Sequence, residues 1–144
     1  MVDETLTPAE VRELVNGVHL ATITVVSADG FAHSTPVWYL PEPKGGVTIL
    51  IDRASVKARI LKRDPRATVL IVNNSEGGDR WVMYRGNAEV SDGGIDDLMV
   101  RISTRYMGDD EGREYAASYG QPLPFVAVSL RNPRLTSWKS PFTD

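Results

Sequence analysis

Six short segments rich in β-branched and aromatic residues, separated by turn-forming sequences, constrain the fold of this chain most strongly. They cover residues 18–26, 31–40, 47–52, 66–73, 80–90 and 124–138. Val, Ile, Thr, Tyr, Phe and Trp favour strands, whereas the Gly, Asn, Asp and Pro between the segments favour turns. Because most connections are short, the pattern predicts a mostly-β fold, a small six-stranded antiparallel barrel with peripheral helices.

Three features refine the prediction for individual strands. Residues 18–26 are apolar on both faces, which is typical of a strand that is buried on both sides. Pro36 has no N–H to donate to a neighbouring strand, so it requires an edge, a bulge or a break that faces a ligand. Pro133 marks a place where the sixth strand could be interrupted.

Helices are predicted at the ends of the strand pattern. Thr7 is placed to cap a helix, Pro8 suits its first position, and Glu10 completes a capping box with Thr7. Two more helices are expected in the last third of the chain, one after Gly94 and a shorter one over residues 110–120.

Composition limits the classes of function that are open to the chain. Its 144 residues suit one domain, residues 1–144, and 16 Lys and Arg against 19 Asp and Glu give a net charge of −3. An acidic chain is poorly suited to general nucleic-acid binding. Without cysteine, and with two histidines that lack ligand spacing, no metal site is predicted. No apolar run approaches the ~18 residues of a membrane span, so we expect a cytoplasmic protein.

A short helix is predicted over residues 55–63, between the third and fourth strands. Ser55 is placed to cap it, and Val56, Ile60 and Leu61 form its apolar stripe. The N–H groups of its first turn have no partner within the helix, and the helix dipole adds partial positive charge there.

Cations cluster around the start of this helix. Arg53 precedes it, Lys57 lies in its first turn, and Arg59 follows within one turn. Together with the Ser55 hydroxyl they form a cup suited to a phosphate, in which each charge-assisted hydrogen bond contributes about 1.5–3 kcal/mol. The alternative is ordinary solvated surface charge. Three further cations lie beside the negative end of the helix and are interpreted in that way: Lys62, Arg63 and Arg66.

Three blocks of the sequence, in this order and spacing, carry a resemblance to a known family. They are HLATITVVSADGFAHSTPVWYL, VTILIDRASVKARILKRDPRATVLIV and WVMYRGNAEV. The chain resembles the pyridoxamine 5'-phosphate oxidase-like split-barrel superfamily, and within it the branch of coenzyme F420-dependent oxidoreductases. The resemblance covers roughly residues 14–90, and the last third matches only in outline. It implies an antiparallel split barrel, a homodimer, and a flavin or deazaflavin cofactor.

The resemblance assigns the cofactor phosphate to the start of the short helix. Lys57 would hold the phosphate, with Ser55 and Arg53 assisting. The family's oxidases carry a second cation where this chain has Val56, so one of the positive charges that bind the phosphate is missing here. Arg53 or Arg59 would have to replace it.

The resemblance also assigns residues to the cofactor ring. The second strand of the family runs under the ring, which points to Thr35, Pro36 and Val37 and gives Pro36 a reason to interrupt a strand ladder. Ile51 and Asp52 would offer backbone groups to the edge of the ring.

The fifth strand carries the expectation of a dimer. In the family, a residue of this strand contacts the cofactor of the neighbouring subunit, and the matching position is Trp81. The alternation of side chains supports an interface, because two large apolar residues and an arginine share the outward face: Trp81, Met83 and Arg85. The inward face is expected to carry Val82, Tyr84, Ala88 and Val90. The alternative is that Trp81 packs under a terminal helix.

The chain departs from the vitamin-making oxidases of the superfamily in one respect. Those enzymes end with an Arg-x-His pair that holds the substrate, and this chain has no histidine after His33. We therefore expect an oxidoreductase that transfers a hydride between F420 and a small organic substrate, with no side chain assigned as catalytic. An FMN-dependent oxidoreductase of the same fold and a non-catalytic carrier or sensor remain alternatives.

Overall fold

The computed structural model describes residues 4–75 and 78–141, which form one sheet of seven strands and four helices. The strands are β1 Ala21–Val26, β2 Ala32–Val37, β3 Tyr39–Pro41, β4 Val47–Asp52, β5 Arg66–Ser75, β6 Gly78–Ser91 and β7 Phe125–Lys139. The helices are α1 Pro8–Asn16, α2 Val56–Arg63, α3 Ile95–Met107 and α4 Asp109–Ala117. No helix among these residues is both long and apolar enough to span a bilayer.

The strands form an antiparallel half-barrel in the order β2-β1-β5-β6-β7-β4-β3. The prediction of six strands was wrong by one, because the segment 31–40 divides at Trp38 into β2 and β3. Val37 pairs with Ala21 of β1, whereas Tyr39 pairs with Ile49 of β4. The two edge strands of the sheet are therefore consecutive in the chain, and the gap between them is the split.

The burial of β1 corrects a second expectation. Its side chains alternate regularly between buried and half-buried positions, and the strand begins at Ala21 rather than at Val18. Ile23 and Val25 face the core, while Thr22 and Thr24 face outward. One face of β1 is covered, as is usual in an antiparallel sheet.

β7 continues through Pro133 because the sheet forms a bulge there. The pairing with β6 shifts register between Arg85 and Asn87, and Asn132 adopts a positive φ of 42°. Gly86 faces this irregularity, and a Cβ on it would lie 3.0 Å from the Arg131 carbonyl oxygen. A bulge tolerates a residue that has no N–H to donate, so the possible break at Pro133 does not occur.

The inner face of the sheet and two helices enclose the main core. Fully buried side chains of β1, β4, β5 and β6 include Ile23, Ile49, Ile71 and Val82. Each such aliphatic side chain contributes about 1.5–3 kcal/mol through removal from water.

The buried face of α2 differs in part from the predicted stripe. Ile60 and Leu61 are buried as expected, but Val56 is 48% exposed and Ala58 takes the buried position of the first turn. The expectation for Val56 was therefore wrong.

α1 has the predicted capping box, in which Thr7 Oγ1 accepts from the Glu10 N–H and Glu10 Oε1 accepts from the Thr7 N–H. Arg105 of α3 holds the other end of this helix. Its Nη2 donates to the carbonyl oxygens of Gly17 at 2.7 Å and Val15 at 3.3 Å, and the Tyr39 hydroxyl donates to the same two oxygens. A cation at a helix C-terminus is favoured by the dipole.

Candidate functional site

A cavity of about 230 Å³ lies at the split of the sheet, and we call it the split-edge cavity. The end of β2, the end of β4 and the first turn of α2 form one side, and α3, α4 and the start of β7 form the other. The lining residues are Pro36, Val37, Trp38, Leu50, Ile51, Asp52, Lys57, Met99, Ile102, Tyr115, Tyr119 and Phe125. Five of the ten site residues expected from the sequence are among them: Pro36, Val37, Ile51, Asp52 and Lys57.

One edge of β4 is uncovered where it borders the cavity. β3 pairs with β4 only at residues 47–49, whereas β7 pairs with β4 as far as Asp52. Leu50, Ile51 and Asp52 therefore have no strand beside them on the cavity side within the described residues. Backbone groups on that edge are available to a bound molecule.

The turn from β4 into α2 is fixed by hydrogen bonds of Asp52 and Ser55. The Asp52 carbonyl oxygen accepts from the Ser55 N–H at 3.0 Å and from Ser55 Oγ at 2.7 Å. Ser55 Oγ in turn accepts from the Ala58 N–H at 3.2 Å, which caps the helix. The single hydroxyl proton of Ser55 is thus already used within the turn.

Lys57 brings an unpaired ammonium group to the mouth of the cavity. Its side chain is half-buried and has no carboxylate within 4.0 Å and no hydrogen-bond partner in the described part of the chain. The N–H groups of Val56 and Lys57 are likewise without acceptors there, because the first turn of a helix leaves its donors free. A cation and free N–H donors at the start of a helix favour an anion.

Three of the four expected phosphate residues lie outside the cavity lining: Arg53, Ser55 and Arg59. Arg53 is exposed, and its backbone N–H donates to the Pro124 carbonyl oxygen at 2.8 Å. Arg59 is exposed on α2, about 200° around the helix axis from Lys57 at 3.6 residues per turn. Within one chain, Lys57 is the cation that lines the cavity.

Two of the three cations at the far end of α2, Arg63 and Arg66, have local partners. Arg63 Nη2 donates to the Val26 carbonyl oxygen at 2.7 Å. Arg66 forms a salt bridge with Asp64 at 2.7 Å. Hydrogen bonds from Arg66 lower the pKa of Asp64 to about 2.

Thr35 and Pro36 occupy opposite faces of β2. Pro36 lines the cavity from an edge strand, which is one of the environments that proline requires. Thr35 faces the same side as Val37, and its Oγ1 is buried without a hydrogen-bond partner among the described residues. A buried hydroxyl without a partner is costly, so it marks a place where a ligand or water would be accommodated.

An aromatic wall covers the other side of the cavity, and the sequence reasoning missed it. Trp38 stacks on Tyr106 with ring centroids 4.7 Å apart and contacts Tyr115 at 6.1 Å. Tyr115 and Tyr119 share a hydroxyl–hydroxyl hydrogen bond of 2.8 Å, which raises the pKa of Tyr119. Their spacing of four residues within the helix predicted over residues 110–120 was the available signal, although α4 ends at Ala117, before Tyr119.

Trp81 lies on the outer face of the sheet, away from the cavity of its own chain. It pairs with Val72 of β5 and with Trp138 of β7, and the next residues on the same face are Leu70 and Met83. We call these five residues the outer apolar patch. Of the residues expected to face inward, Val82 and Tyr84 are buried and Ala88 packs on the core, but Val90 is 47% exposed, so that expectation was wrong.

Comparisons with known proteins identify the fold. The chain matches the model of the family described as pyridoxamine 5'-phosphate oxidase over residues 7–136. No curated protein matches it. The conserved hypothetical protein Rv2991 from Mycobacterium tuberculosis is 25% identical, with a TM-score of 0.79 over 100% of this chain and 94% of that one.

Two further solved structures share the fold at 16% identity. The FAD and heme binding protein from Mycobacterium smegmatis has a TM-score of 0.74 over 99% of this chain and 76% of its own. A protein described as an F420 reductase has a TM-score of 0.66 over 86% of this chain and 94% of its own.

Proposed function

This chain belongs to the pyridoxamine 5'-phosphate oxidase family, and from that premise we propose that it is an oxidoreductase that binds the deazaflavin coenzyme F420. The coenzyme would bind in the split-edge cavity, and a hydride would pass between it and a small apolar or conjugated substrate. Oxidation of pyridoxamine phosphate is not proposed, because the histidine that those oxidases carry near their C-terminus has no counterpart after His33.

The observation that carries the proposal is the state of Lys57. Lys57 lines the cavity, its backbone N–H and that of Val56 are free, and it has no carboxylate partner among the described residues. A phosphate at this position would gain charge-assisted hydrogen bonds without breaking an existing ion pair. Arg53 and Arg59, both exposed nearby, remain predicted assistants from the same end of α2, and Ser55 would act by holding the turn.

The rest of the cavity suits a flat ring with a polar edge. Pro36, Val37 and Ile51 provide an apolar floor, and the aromatic wall provides stacking surfaces. The uncovered edge of β4 over residues 50–52 would meet the polar groups of such a ring. Thr35 does not line the cavity, and its contact with the ring stays a prediction.

The mechanism assigned to the protein is one of binding and positioning. When bound, a deazaflavin supplies the carbon that accepts or donates a hydride. Lys57 would anchor the phosphate and so fix the position of the ring. The aromatic wall would exclude water, which strengthens the electrostatic interactions inside the site. The Tyr115–Tyr119 pair would hold a hydroxyl proton beside the cavity, because tyrosine is protonated at neutral pH and the hydrogen bond with Tyr115 raises the pKa of Tyr119 further.

We further propose a homodimer in which Trp81 completes the site of the partner subunit. The split-edge cavity measures about 230 Å³, less than the roughly 300–1,000 Å³ typical of small-molecule sites. A second chain would supply the missing wall. The outer apolar patch around Trp81 supports this arrangement, because contiguous apolar surface is characteristic of interfaces.

A second candidate is a cofactor carrier or an FMN-dependent oxidoreductase of the same fold. It is favoured by the similarity to a protein described as binding FAD and heme. The phosphate position at Lys57 would serve any of these cofactors equally well. F420 and FMN are therefore distinguished by which ring the protein binds more tightly, and an enzyme is distinguished from a carrier by catalytic turnover.

The proposal is tested by titrating the purified protein with F420 and with FMN in parallel, followed by cofactor fluorescence. We expect tighter binding of F420, and oxidation of reduced F420 when small conjugated substrates are added. Tighter binding of FMN would favour the flavin enzyme. Binding without substrate-dependent oxidation would favour the carrier, and failure to bind either cofactor would refute the proposed site.

A further inference from the structure

A row of hydroxyl and guanidinium groups crosses the outer face of the sheet beyond the outer apolar patch. Thr24 of β1 pairs with Thr68 of β5, Thr68 with Arg85 of β6, and Arg85 with Arg134 of β7. Because directly paired residues of a sheet point to the same side, all four side chains share this face. The row borders a hollow of about 430 Å³, which Arg66 and Asn87 also line.

The pairing of Arg85 with Arg134 is unfavourable in the protein alone. Like charges directly opposite each other on neighbouring strands destabilise a sheet. Neither arginine has a carboxylate within 4.0 Å or a hydrogen-bond partner in residues 4–75 and 78–141, and no acidic side chain lines the hollow. Some exposed arginines have carboxylate partners, as Arg131 has in Glu89, whereas Arg113 has none among the described residues.

We propose that this hollow is a second anion site, which binds a small molecule carrying several phosphate or carboxylate groups. An anion between the two guanidinium groups would replace their repulsion by bidentate hydrogen bonds, the geometry that arginine forms with phosphate and carboxylate. Thr68 would add a hydroxyl donor, and Arg66 would contribute from the rim while it keeps its bond to Asp64. The Thr24 hydroxyl shares a 2.8 Å hydrogen bond with Ser34 Oγ, and it would donate to the anion when Ser34 is the donor of that bond. The volume of the hollow lies within the range of small-molecule sites.

This site is separate from the proposed cofactor site. Lys57 does not line the hollow, and none of the hollow's lining residues lines the split-edge cavity. Within one chain the two proposals rest on different residues, although Arg85 shares the outward face of β6 with Trp81 of the proposed interface. An acidic segment of a second copy could also meet two unpaired arginines, and the test distinguishes that occupant from a free anion.

The test uses tripolyphosphate as the probe, measured by isothermal titration calorimetry at low ionic strength. Lys57→Ala serves as the parent protein, so that the proposed cofactor phosphate position does not contribute to the heat. Arg85→Gln and Arg134→Gln are added together to this parent. Arg113→Gln is the matched control, because Arg113 is exposed on α4 and has no ion pair among the described residues.

We expect the parent and the Arg113→Gln control to bind tripolyphosphate equally, and the Arg85→Gln/Arg134→Gln protein to bind at least about tenfold more weakly. Equal affinity in all three proteins, or no binding by the parent, would overturn the proposal. If the parent binds no anion, the mass of the double variant is also measured by sedimentation. A mass below that of the parent would show that the two arginines contact a second copy of the chain.

Two controls complete the experiment. If the double variant does not fold, as judged by circular dichroism, Arg134→Gln alone gives the same comparison with one charge removed. F420 titration of Arg134→Gln with Lys57 intact should match the wild type, because Arg134 lines only the hollow and was not assigned to the expected dimer interface.

Discussion

Replacing Lys57 by alanine separates a role in binding from a role in folding. The side chain has no partner in the described residues, so its removal breaks no ion pair or hydrogen bond. Alanine also suits a helix slightly better than lysine. Stability should therefore change by no more than about 0.5 kcal/mol, or roughly 1–2 °C in Tm.

The effect of Lys57→Ala on cofactor affinity should be much larger. A charge-assisted hydrogen bond contributes about 1.5–3 kcal/mol, which corresponds to about a 10- to 150-fold increase in Kd. Because Lys57 is half-buried, solvent screens part of the interaction, and we expect the lower part of that range at physiological salt.

The assay is a fluorescence titration with F420 and with FMN, paired with thermal unfolding of the same samples. Lys62→Ala is the matched control, because Lys62 lies exposed at the other end of α2. An unchanged Kd for Lys57→Ala would refute the assignment of the anion position. A loss of affinity accompanied by a large fall in Tm would show that Lys57 supports the fold, contrary to the contacts described above.

Three further predictions address the interface, the attachment of α1 and the effect of acid. Trp81→Arg should lower the mass of the protein in sedimentation or weaken cofactor binding, and a variant unchanged in both would remove Trp81 from the proposed interface. Arg105→Met should destabilise the protein by about 2–3 kcal/mol, because it removes charged hydrogen bonds to the end of α1. At roughly 3 °C per kcal/mol, the Tm measured by differential scanning fluorimetry should fall by about 6–9 °C. A backbone hydrogen bond from Thr7, with help from Lys139, lowers the pKa of Glu10 from 4.5 to about 2, so its ionised form stabilises the fold above pH 4.5 and this contribution is lost as the pH falls towards 2. The Tm difference between wild type and Glu10→Gln should shrink over that interval, and a difference that stays constant would contradict the assignment.

The sequence correctly predicted those helix and strand ends that are determined by neighbouring residues in the chain. The capping box of α1 follows from Thr7, Pro8 and Glu10, and β4 has the predicted bounds because turn residues enclose its apolar run on both sides. The end of α2 at Asp64-Pro65 has a similar cause, since the residue before proline resists helical angles.

Features set by tertiary packing could not be predicted in this way. The sequence around Trp38 does not indicate that the strand before it, β2, pairs with β1 while the strand after it, β3, pairs with β4. The register shift opposite Gly86, which lets β7 pass Pro133, also depends on two strands at once. Val56 satisfies the apolar pattern of α2 yet lies in solvent, because the sheet beneath the helix selects which face is covered.

The candidate site shows the same division. Five of the predicted site residues line the split-edge cavity, and all five lie in the part of the chain where the family resemblance is strong: Pro36, Val37, Ile51, Asp52 and Lys57. The aromatic wall comes from the last third, where the resemblance holds only in outline, and from Trp38 at the change of strand partner. Its members are distant in sequence and are brought together by α3 and α4 packing over the split.

Because β2 ends at Val37 and β3 begins at Tyr39, the two borders of the sheet are tied together by a single residue. At that point they cannot move apart by more than two peptide units, about 7 Å. Any widening of the cleft must therefore be a scissor-like motion that grows from Trp38 towards α2. A long ligand would therefore enter from the end of the cleft near α2. The short covalent link at Trp38 would limit the thickness of the part of the ligand that reaches this residue.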